Sequence, residues 1–303
     1  MRTAVVWNPH GGRGRATRLK PRAEALLSSM AAHWVETTGP GSAAAQASYL
    51  ARSGFELVVA AGGDGTVSQV AAGLLGTGAT LAILPFGTGN DLARCVGIGT
   101  SVEVACQAIS GGRTQNVDVA RWSCAGRDGT FINVAGGGFD GEVAHAVNND
   151  FRWTSGSFAY LLAIFRTLAQ YKPIDVEVEV DGEKDAGKAM LCAVANATSY
   201  GGGLRIAPTA SLTDGKLDVV LVGELGKMEF VLNFAKLMRG THLSHPKVKH
   251  LRGSSVTLRT PDDVPFLVDG ELLPGGDVRI EVMPRVLPLV FPNREHPSIS
   301  SPR

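Results

Sequence analysis

The sequence lacks an apolar run long enough to cross a bilayer as a helix, which takes about 20 residues. The longest candidate, FAYLLAIF (158–165), is far shorter and lies between Arg152 and Arg166. At the N-terminus, Asn8-Pro9 interrupts an apolar stretch that is too short for a secretory signal. We therefore expect a cytoplasmic protein without a transmembrane segment, whose contact with membranes is peripheral.

Cysteine and net charge are also scarce. Four cysteines are scattered along the chain without a C-x-x-C pair or a zinc-like spacing, which predicts small buried hydrophobic residues in a reducing compartment. Lysine and arginine number 29 against 28 acidic residues, a net charge of +1. With so little net charge and no basic run, no nucleic acid partner is expected.

The first 120 residues alternate between short apolar runs and segments with helical spacing, which predicts a doubly wound α/β domain. Continuous apolar strands are typical of a parallel sheet that is covered on both faces, and ligands bind such sheets beyond the carboxyl ends of the strands. The predicted strands are 3–9, 33–38, 55–61 and 79–87, and the predicted helices are 16–32, 42–53 and 66–75.

From about residue 116 strand patterns dominate, several of them alternating polar with apolar residues. We predict a β-sandwich domain over residues 121–284 and expect the apolar segment within 285–297 to pack back onto the first domain. The predicted strands are 116–122, 129–138, 174–182, 188–198, 216–224, 254–260, 265–271 and 277–284, and helices are predicted near 157–171 and 226–239.

The stretch GGDGT (62–66) follows a predicted buried strand. Glycines at such a position let backbone N–H groups approach an anion, and the helix beginning near Thr66 adds its positive N-terminal end. Asp64 would repel a phosphate unless a cation such as Mg²⁺ lies between them. The alternative is an Asp-Gly turn that Asp64 merely caps, and the motif by itself leaves both readings open.

A second glycine turn, LPFGTGNDLAR (84–94), follows the next predicted strand. Thr88 and Asn90 offer donors for a phosphate or a base, and Asp91 offers a supporting carboxylate. Neither turn matches the G-x-G-x-x-G fingerprint or the P-loop lysine pattern. Two such turns on neighbouring strands indicate a phosphate site of another kind.

Two carboxylate motifs lie in the β-rich part. In SLTDGKLD (211–218), Asp214 with main-chain oxygens of Ser211 and Lys216 offers oxygen ligands for Mg²⁺. In FLVDGELL (266–273), Asp269 and Glu271 flank a glycine, so that one can accept a hydroxyl proton while the other faces a cation. Ordinary Asp-Gly surface turns are the alternative for both motifs.

Taken in order, these motifs resemble those of the diacylglycerol kinase catalytic domain superfamily, and most closely its soluble bacterial lipid kinases, over nearly the whole chain. Sphingosine and ceramide kinases are relatives. GGDGT alone is shared with NAD kinases and phosphofructokinases, whereas the ordered set is much more specific. The motifs are NPHGGRG (8–14), GGDGT (62–66), PFGTGND (85–91), NVAGGGFDGEV (133–143), YGGGLRIAPTASLTDGKLDVV (200–220) and VDGE (268–271).

The resemblance implies an α/β domain followed by a β-sandwich, with ATP in the cleft between them. It implies Glu271 as the proton acceptor with Asp269 alongside, and it places Asp118 in a supporting acidic network. Its structural Mg²⁺ site falls on Ser211, Asp214 and Lys216, the outer two through main-chain oxygen. The implied nucleotide contacts are Thr37 (favoured over Thr38 by its spacing to Gly41), Gly62, Gly63, Asp64, Gly65, Thr66, Val67, Ser68 and Thr88.

The resulting hypothesis is a kinase, dependent on ATP and Mg²⁺, that phosphorylates the hydroxyl of a lipid at the membrane surface, with diacylglycerol as the favoured acceptor. Alternatives are a kinase for sphingosine, ceramide, monoacylglycerol or a soluble substrate such as NAD, and a catalytically silent regulator that binds lipid and nucleotide. A homodimer is left open.

Overall fold

The structure is a computed structural model that describes residues 1–138, 171–273 and 275–293. The chain divides into two compact units. The first comprises Met1–Asn116 together with the segment that begins at Leu287, and the second comprises Val117–Val286. The helix predicted near 157–171 lies outside the described residues.

The first unit is built on a parallel sheet with the strand order β2-β1-β3-β4. Strands β1 and β3 are buried along their whole length, as their unbroken apolar sequences require. The end of a late strand, β15, pairs in parallel with β4 through Leu289 and Leu81. The bounds are β1 Thr3–Trp7, β2 His33–Glu36, β3 Leu57–Gly62, β4 Thr80–Pro85 and β15 Asp277–Phe291.

The helices of this unit connect and cover the strands. Alanine-rich faces let them pack closely, and in α2 and α3 the carbonyl of Ala44 approaches Gly73 so closely that no Cβ fits there. Ser101 caps α5 by accepting the N–H of Val104 at 3.3 Å. The bounds are α1 Arg15–Leu26, α2 Ser42–Arg52, α3 Asp64–Leu74, α4 Asp91–Cys95 and α5 Val102–Gly111.

The second unit is antiparallel. Its strands follow the path β14-β13-β7-β9-β8-β12-β15, with β10 paired to β9 and β11, and β5 paired to β15 and β6. The bounds are β5 Arg113–Cys124, β6 Arg127–Phe131, β7 Val134–Gly138, β8 Ile174–Val180, β9 Glu183–Ala195, β10 Leu217–Gly223, β11 Val248–Gly253, β12 Ser255–Arg259, β13 Phe266–Val268 and β14 Glu271–Leu273. Helix α6 spans Lys227–Arg239.

Strand β9 links the two halves of this unit. Residues 183–189 pair with β8, whereas residues 191–195 lie between β7 and β10. Side chains such as Phe131, Phe266 and Leu258 fill the buried core of this unit. The predicted fold class, an α/β domain followed by a β-sandwich, is confirmed.

The element predictions differ from the structure in several places. Helices α4 and α5 and strands β11 and β14 were not predicted. The predicted strand 129–138 is two strands, β6 and β7, and the predicted strand 265–271 contains β13 and then a turn. The first unit's remaining elements agree with their predicted ranges to within a few residues, apart from α1, which ends at Leu26 before a short 3-10 helix.

Candidate active site

Three glycine turns meet at the carboxyl ends of β1, β3 and β4. They are NPHGGRG (8–14), GGDGT (62–66) and PFGTGND (85–91). Because the strands are parallel and adjacent, their ends lie side by side at one edge of the sheet. This is the edge where the sequence predicted a ligand.

Main-chain hydrogen bonds hold the three turns together. The N–H groups of Phe86 and Gly87 both donate to the carbonyl of Gly62 at 3.0 Å, and the N–H of Asn8 donates to the carbonyl of Ala61 at 2.9 Å. The side chain of Asn8 also donates to the hydroxyl of Thr66 at 3.2 Å, so the first turn is tied directly to the start of α3.

The glycines serve two purposes. A Cβ at Gly87 would overlap the Cα of Gly63, and a Cβ at Gly12 would overlap the carbonyl of Phe86, so these positions need glycine for backbone packing. Gly65 differs, because a Cβ there would have no neighbour within 4 Å. Packing does not explain Gly65, whose exposed backbone at the start of α3 leaves space for a ligand to approach.

Asp64 is the acidic residue among these glycines, and it holds the PFGTGND turn. Its carboxylate accepts the N–H groups of Asn90 at 2.8 Å, Asp91 at 2.6 Å and Leu92 at 3.4 Å. Burial raises the pKa of this carboxyl, while the backbone hydrogen bonds oppose the rise. Asp64 therefore caps the start of α4, a contact across 26 residues of sequence that the local motif did not reveal.

Asn90 and Arg15 complete the PFGTGND turn. Asn90 has a positive φ of 55°, accepts the N–H of Gly87 at 2.9 Å and donates to its carbonyl at 2.8 Å, so its amide serves the turn rather than a ligand. Arg15 donates to the carbonyl of Gly87 at 3.3 Å and to that of Thr100 at 3.0 Å. No local motif predicts this role of Arg15, because both of its acceptors lie more than 70 residues away in sequence.

The predicted nucleotide contacts lie on this unit. Thr37 directly follows β2, its N–H donates to the carbonyl of Trp7 at 2.9 Å, and it is half-buried. Thr88 is exposed at the tip of the PFGTGND turn, and Ser68 is half-buried in the first turns of α3. Their assignment to a nucleotide stays a prediction, as does that of Gly62, Gly63, Asp64, Gly65, Thr66 and Val67.

In the second unit, Asp269 and Glu271 have different surroundings. Asp269 and the following glycine form the tight turn between β13 and β14, with φ of 44° and 91°. The carboxylate of Asp269 accepts the N–H groups of Ile132 at 2.9 Å, Asn133 at 3.0 Å and Val134 at 3.2 Å. It therefore fixes the turn against the start of β7.

Glu271 is the first residue of β14, and its side chain is 74% exposed. A guanidinium nitrogen of Arg127 lies 3.6 Å from its carboxylate. The turn therefore leaves the carboxylate of Glu271 largely exposed to solvent. The assignment of Glu271 as the proton acceptor, with Asp269 alongside, stays a prediction.

Asp118 organises the loop that precedes β10. It is fully buried, and its carboxylate accepts the N–H groups of Gly215 and Arg285, both at 2.7 Å. Its own N–H donates to the carbonyl of Leu212 at 2.6 Å. These bonds position the loop that carries the predicted metal ligands Ser211, Asp214 and Lys216.

The carboxylate of Asp214 and main-chain oxygens are ligands that fit Mg²⁺ by type. In the structure that carboxylate accepts the N–H of Lys216 at 3.1 Å and a hydrogen bond from the guanidinium of Arg252. A Mg²⁺ ion would therefore share Asp214 with Arg252. No cluster of three or more histidine, cysteine or acidic residues suited to a metal occurs in the described part of the chain. The metal assignment stays a prediction.

Arg252 also reaches a second carboxylate. Asp218, fully buried on β10, accepts Arg252 Nε at 3.4 Å and lies 2.6 Å from His250 Nε2. Desolvation by itself would lower the pKa of Arg252. The negative charges of Asp218 and Asp214 outweigh this effect, so the pKa of Arg252 is raised. Sequence reasoning missed this network because β11, which supplies both basic residues, has too few apolar residues to be predicted as a strand.

The family comparisons cover both units. The model described as "Diacylglycerol kinase catalytic domain" matches residues 2–122. The model described as "YegS C-terminal NAD kinase beta sandwich-like domain" matches residues 133–291. The glycine turns at the edge of the parallel sheet fall in the first match, and the Asp-Gly-Glu turn falls in the second.

Individual relatives span nearly the whole chain. The diacylglycerol kinase of Bacillus subtilis (strain 168) is 30% identical over 289 residues, covering 92% of this chain and 93% of the relative. A diacylglycerol kinase of Staphylococcus epidermidis (strain ATCC 12228) is 29% identical over 291 residues, covering 92% and 90%. A crystal structure described as that of "a putative diacylglycerol kinase from Bacillus anthracis str. Sterne" superimposes with a TM-score of 0.79 at 26% identity. The match covers 96% of this chain and 95% of that one.

Fold, glycine turns and matched domains together define a kinase of the type that joins an α/β catalytic domain to a β-sandwich. The chain belongs to the diacylglycerol kinase family. Kinases of this family use ATP, and the prediction that the protein is an enzyme of this kind is confirmed. None of the helices in the described ranges is both long and apolar enough to span a bilayer.

Proposed function

We propose that this kinase transfers the γ-phosphoryl group of Mg²⁺-bound ATP to the hydroxyl of a lipid at the membrane surface, with diacylglycerol as acceptor and phosphatidic acid as product. The observation that carries the proposal is the relative of 30% identity, which covers 92% of the chain and bears the name diacylglycerol kinase. The bond between the γ-phosphorus and the β,γ-bridging oxygen breaks, the acceptor oxygen takes up the phosphoryl group, and the hydroxyl proton leaves to a base.

The nucleotide is assigned to the three glycine turns. The space beside Gly65 and the N-terminal end of α3 favour phosphate oxygens. Asp64 acts first by fixing the PFGTGND turn through its three N–H contacts, which keeps Thr88 in place. Because the transferring phosphoryl group gains little covalent bonding in the transition state, such positioning contributes more than base strength.

Glu271 is assigned as the acceptor of the hydroxyl proton, and Asp269 as the residue that positions it. Support comes from their surroundings, because Asp269 binds three backbone N–H groups while Glu271 is exposed. A structural Mg²⁺ would be held by Asp214 and the main-chain oxygens of Ser211 and Lys216. Mg²⁺ carried by ATP supplies charge neutralisation on the phosphates.

A lipid panel tests the proposal. The protein is incubated with γ-labelled ATP, Mg²⁺ and mixed micelles containing diacylglycerol, ceramide, sphingosine or monoacylglycerol, with NAD as a soluble acceptor in parallel. We expect labelled phosphatidic acid as the dominant product. If another lipid is labelled instead, that lipid and not diacylglycerol is the acceptor. If NAD is converted to labelled NADP, the protein is not a lipid kinase. Tight ATP binding without any labelled product would favour a catalytically silent regulator.

A further inference from the structure

Helix α6 is unusual because none of its residues is buried, although its sequence KMEFVLNFAKLMR is largely apolar. The helix packs against the rest of the second unit through half-buried side chains. Leu237 packs against the cluster that includes Val220 and Val222, and Phe230 stacks on Phe234 with ring centroids 6.2 Å apart. The inward face therefore accounts for only part of the apolar side chains.

The remaining apolar residues form a strip on the outward face, which we call the α6 strip. Met228 is 72% exposed, Leu232 71%, Met238 45% and Val231 38%. With Ala235 they recur at intervals of three and four residues, so they share one side of the helix and cover about a third of its circumference. Four of the seven large hydrophobic side chains that are exposed in the described ranges lie here, which makes the strip a concentrated feature.

Basic residues border the strip. Lys236 lies beside Leu232, and Arg239 ends the helix. Neither of them forms an ion pair with any residue that the structure describes. The one acidic residue of the helix, Glu229, is partly exposed, and its charge is paired within the protein, since its carboxylate accepts Lys247 Nζ at 2.7 Å and the N–H of Gly226 at 3.1 Å. The outward face thus combines apolar side chains with positive charge.

We propose that the α6 strip is the surface that docks the protein on an anionic lipid bilayer, with Met228 and Leu232 entering the boundary between headgroups and acyl chains. The inference rests on the proposed function, which requires a lipid that is dissolved in a membrane. Helices that lie in the plane of an interface have this arrangement of an apolar face between lysine and arginine side chains, which reach up to anionic headgroups.

Vesicle binding without ATP and without diacylglycerol tests the docking surface. The whole protein is sedimented with vesicles of phosphatidylcholine alone or mixed with phosphatidylglycerol. The double variant Met228→Gln/Leu232→Gln should lower the partition coefficient on mixed vesicles at least ~tenfold, because two apolar side chains no longer enter the interface. Lys236→Gln/Arg239→Gln should weaken binding to mixed vesicles and leave the weaker binding to phosphatidylcholine unchanged.

Tyr49→Gln is the matched control, since Tyr49 on α2 is 72% exposed but lies in the first unit. It should bind vesicles as the wild type does. Leu232→Trp adds apolar area at the strip and should tighten binding, which keeps the test decisive if the double variant does not fold. If Met228→Gln/Leu232→Gln and Leu232→Trp both bind mixed vesicles with the wild-type partition coefficient, the proposal is wrong.

Sedimentation velocity addresses the other occupant, a second copy of this chain. If Met228→Gln/Leu232→Gln converts a dimer into a monomer and vesicle binding stays at the wild-type level, the strip is a dimer interface and the proposal fails. The assay contains no substrate, so a failed lipid panel would not mimic this failure. If the variants lose vesicle binding, their kinase activity can still be measured separately on lipid in micelles.

Discussion

At the residue scale, the Asp-Gly motifs at Asp64 and Asp269 have the same structural role, although they lie in different units. Asp64 accepts N–H groups from the neighbouring turn, and Asp269 accepts N–H groups from the start of β7. Each carboxylate therefore organises backbone from a distant part of the sequence. Glu271, two residues beyond Asp269, has no such duty and is largely exposed.

Amide substitutions separate these roles. Glu271→Gln removes a proton acceptor from an exposed position, so we expect kcat to fall by about 10²–10⁴ with an unchanged Tm. Asp269→Asn replaces one of the two accepting oxygens with an NH₂ group, so at least one of the three backbone N–H groups loses its acceptor and the free energy of unfolding should fall by about 1–3 kcal/mol. Steady-state kinetics and thermal unfolding check both, with the exposed Glu281→Gln as control. Wild-type kcat in Glu271→Gln would remove this residue from the mechanism.

The pH dependence of stability tests the environment of Asp64. Because burial raises the pKa of its carboxyl, the folded protein binds that proton more tightly than the unfolded chain does. Its contribution to stability is complete below the unfolded pKa of about 4 and is lost as the pH rises through the folded pKa.

Urea unfolding of the wild type and of Asp64→Asn measures this effect. The free energy of unfolding of the wild type minus that of the variant should decrease as the pH rises from about 4 toward neutrality. The exposed Asp175→Asn controls for loss of a charge. A difference that grows with pH would show that the backbone N–H groups, and not burial, dominate at Asp64.

At the element scale, the sequence predicted elements best where burial leaves a local signal. Strands β1, β3 and β4 are continuous apolar runs, and all were predicted. Helix α4 is only one turn long, and the Val-Glu-Val start of α5 alternates as a strand does. Strand β11 is ordered by its antiparallel pairing with β10, which no local pattern contains.

The same limit applies to the candidate site. The glycine turns were visible as motifs, because each follows its strand directly in sequence. Their mutual contacts were not, since the approach of Gly63 to Gly87 and the bonds from Arg15 join residues far apart in the chain. The sequence motifs identify the residues that form the turns. Only the folded structure shows which of these residues contact a residue of another turn.

Two glycine-to-alanine changes distinguish packing from ligand binding. Gly87→Ala should lower the free energy of unfolding by about 1–3 kcal/mol, because its Cβ would meet the backbone of Gly63. Gly65→Ala lies in open space within α3 and should keep or raise stability by up to about 1 kcal/mol. If phosphates approach this backbone, Gly65→Ala should nevertheless raise KM for ATP. Unchanged KM with unchanged stability would place the nucleotide elsewhere.

At the scale of the whole molecule, the chain contains two compact units, and two different family models match it one after the other. The catalytic-domain match ends at residue 122 and the sandwich match begins at 133, and each unit supplies its own carboxylates. The first unit carries the glycine turns assigned to ATP, and the second carries Glu271 and the α6 strip assigned to the lipid. This division of substrates between units is the core of the proposed mechanism.

Docking of Mg²⁺-bound ATP on the glycine turns is the claim on which the account depends. Isothermal titration calorimetry of the folded protein with ATP, in the presence and absence of Mg²⁺, tests it most directly. We predict saturable binding that requires Mg²⁺ and weakens at least ~tenfold in Gly65→Ala, the loss expected from about 1.4 kcal/mol. Folded wild-type protein that takes up no ATP with Mg²⁺ present would contradict the account.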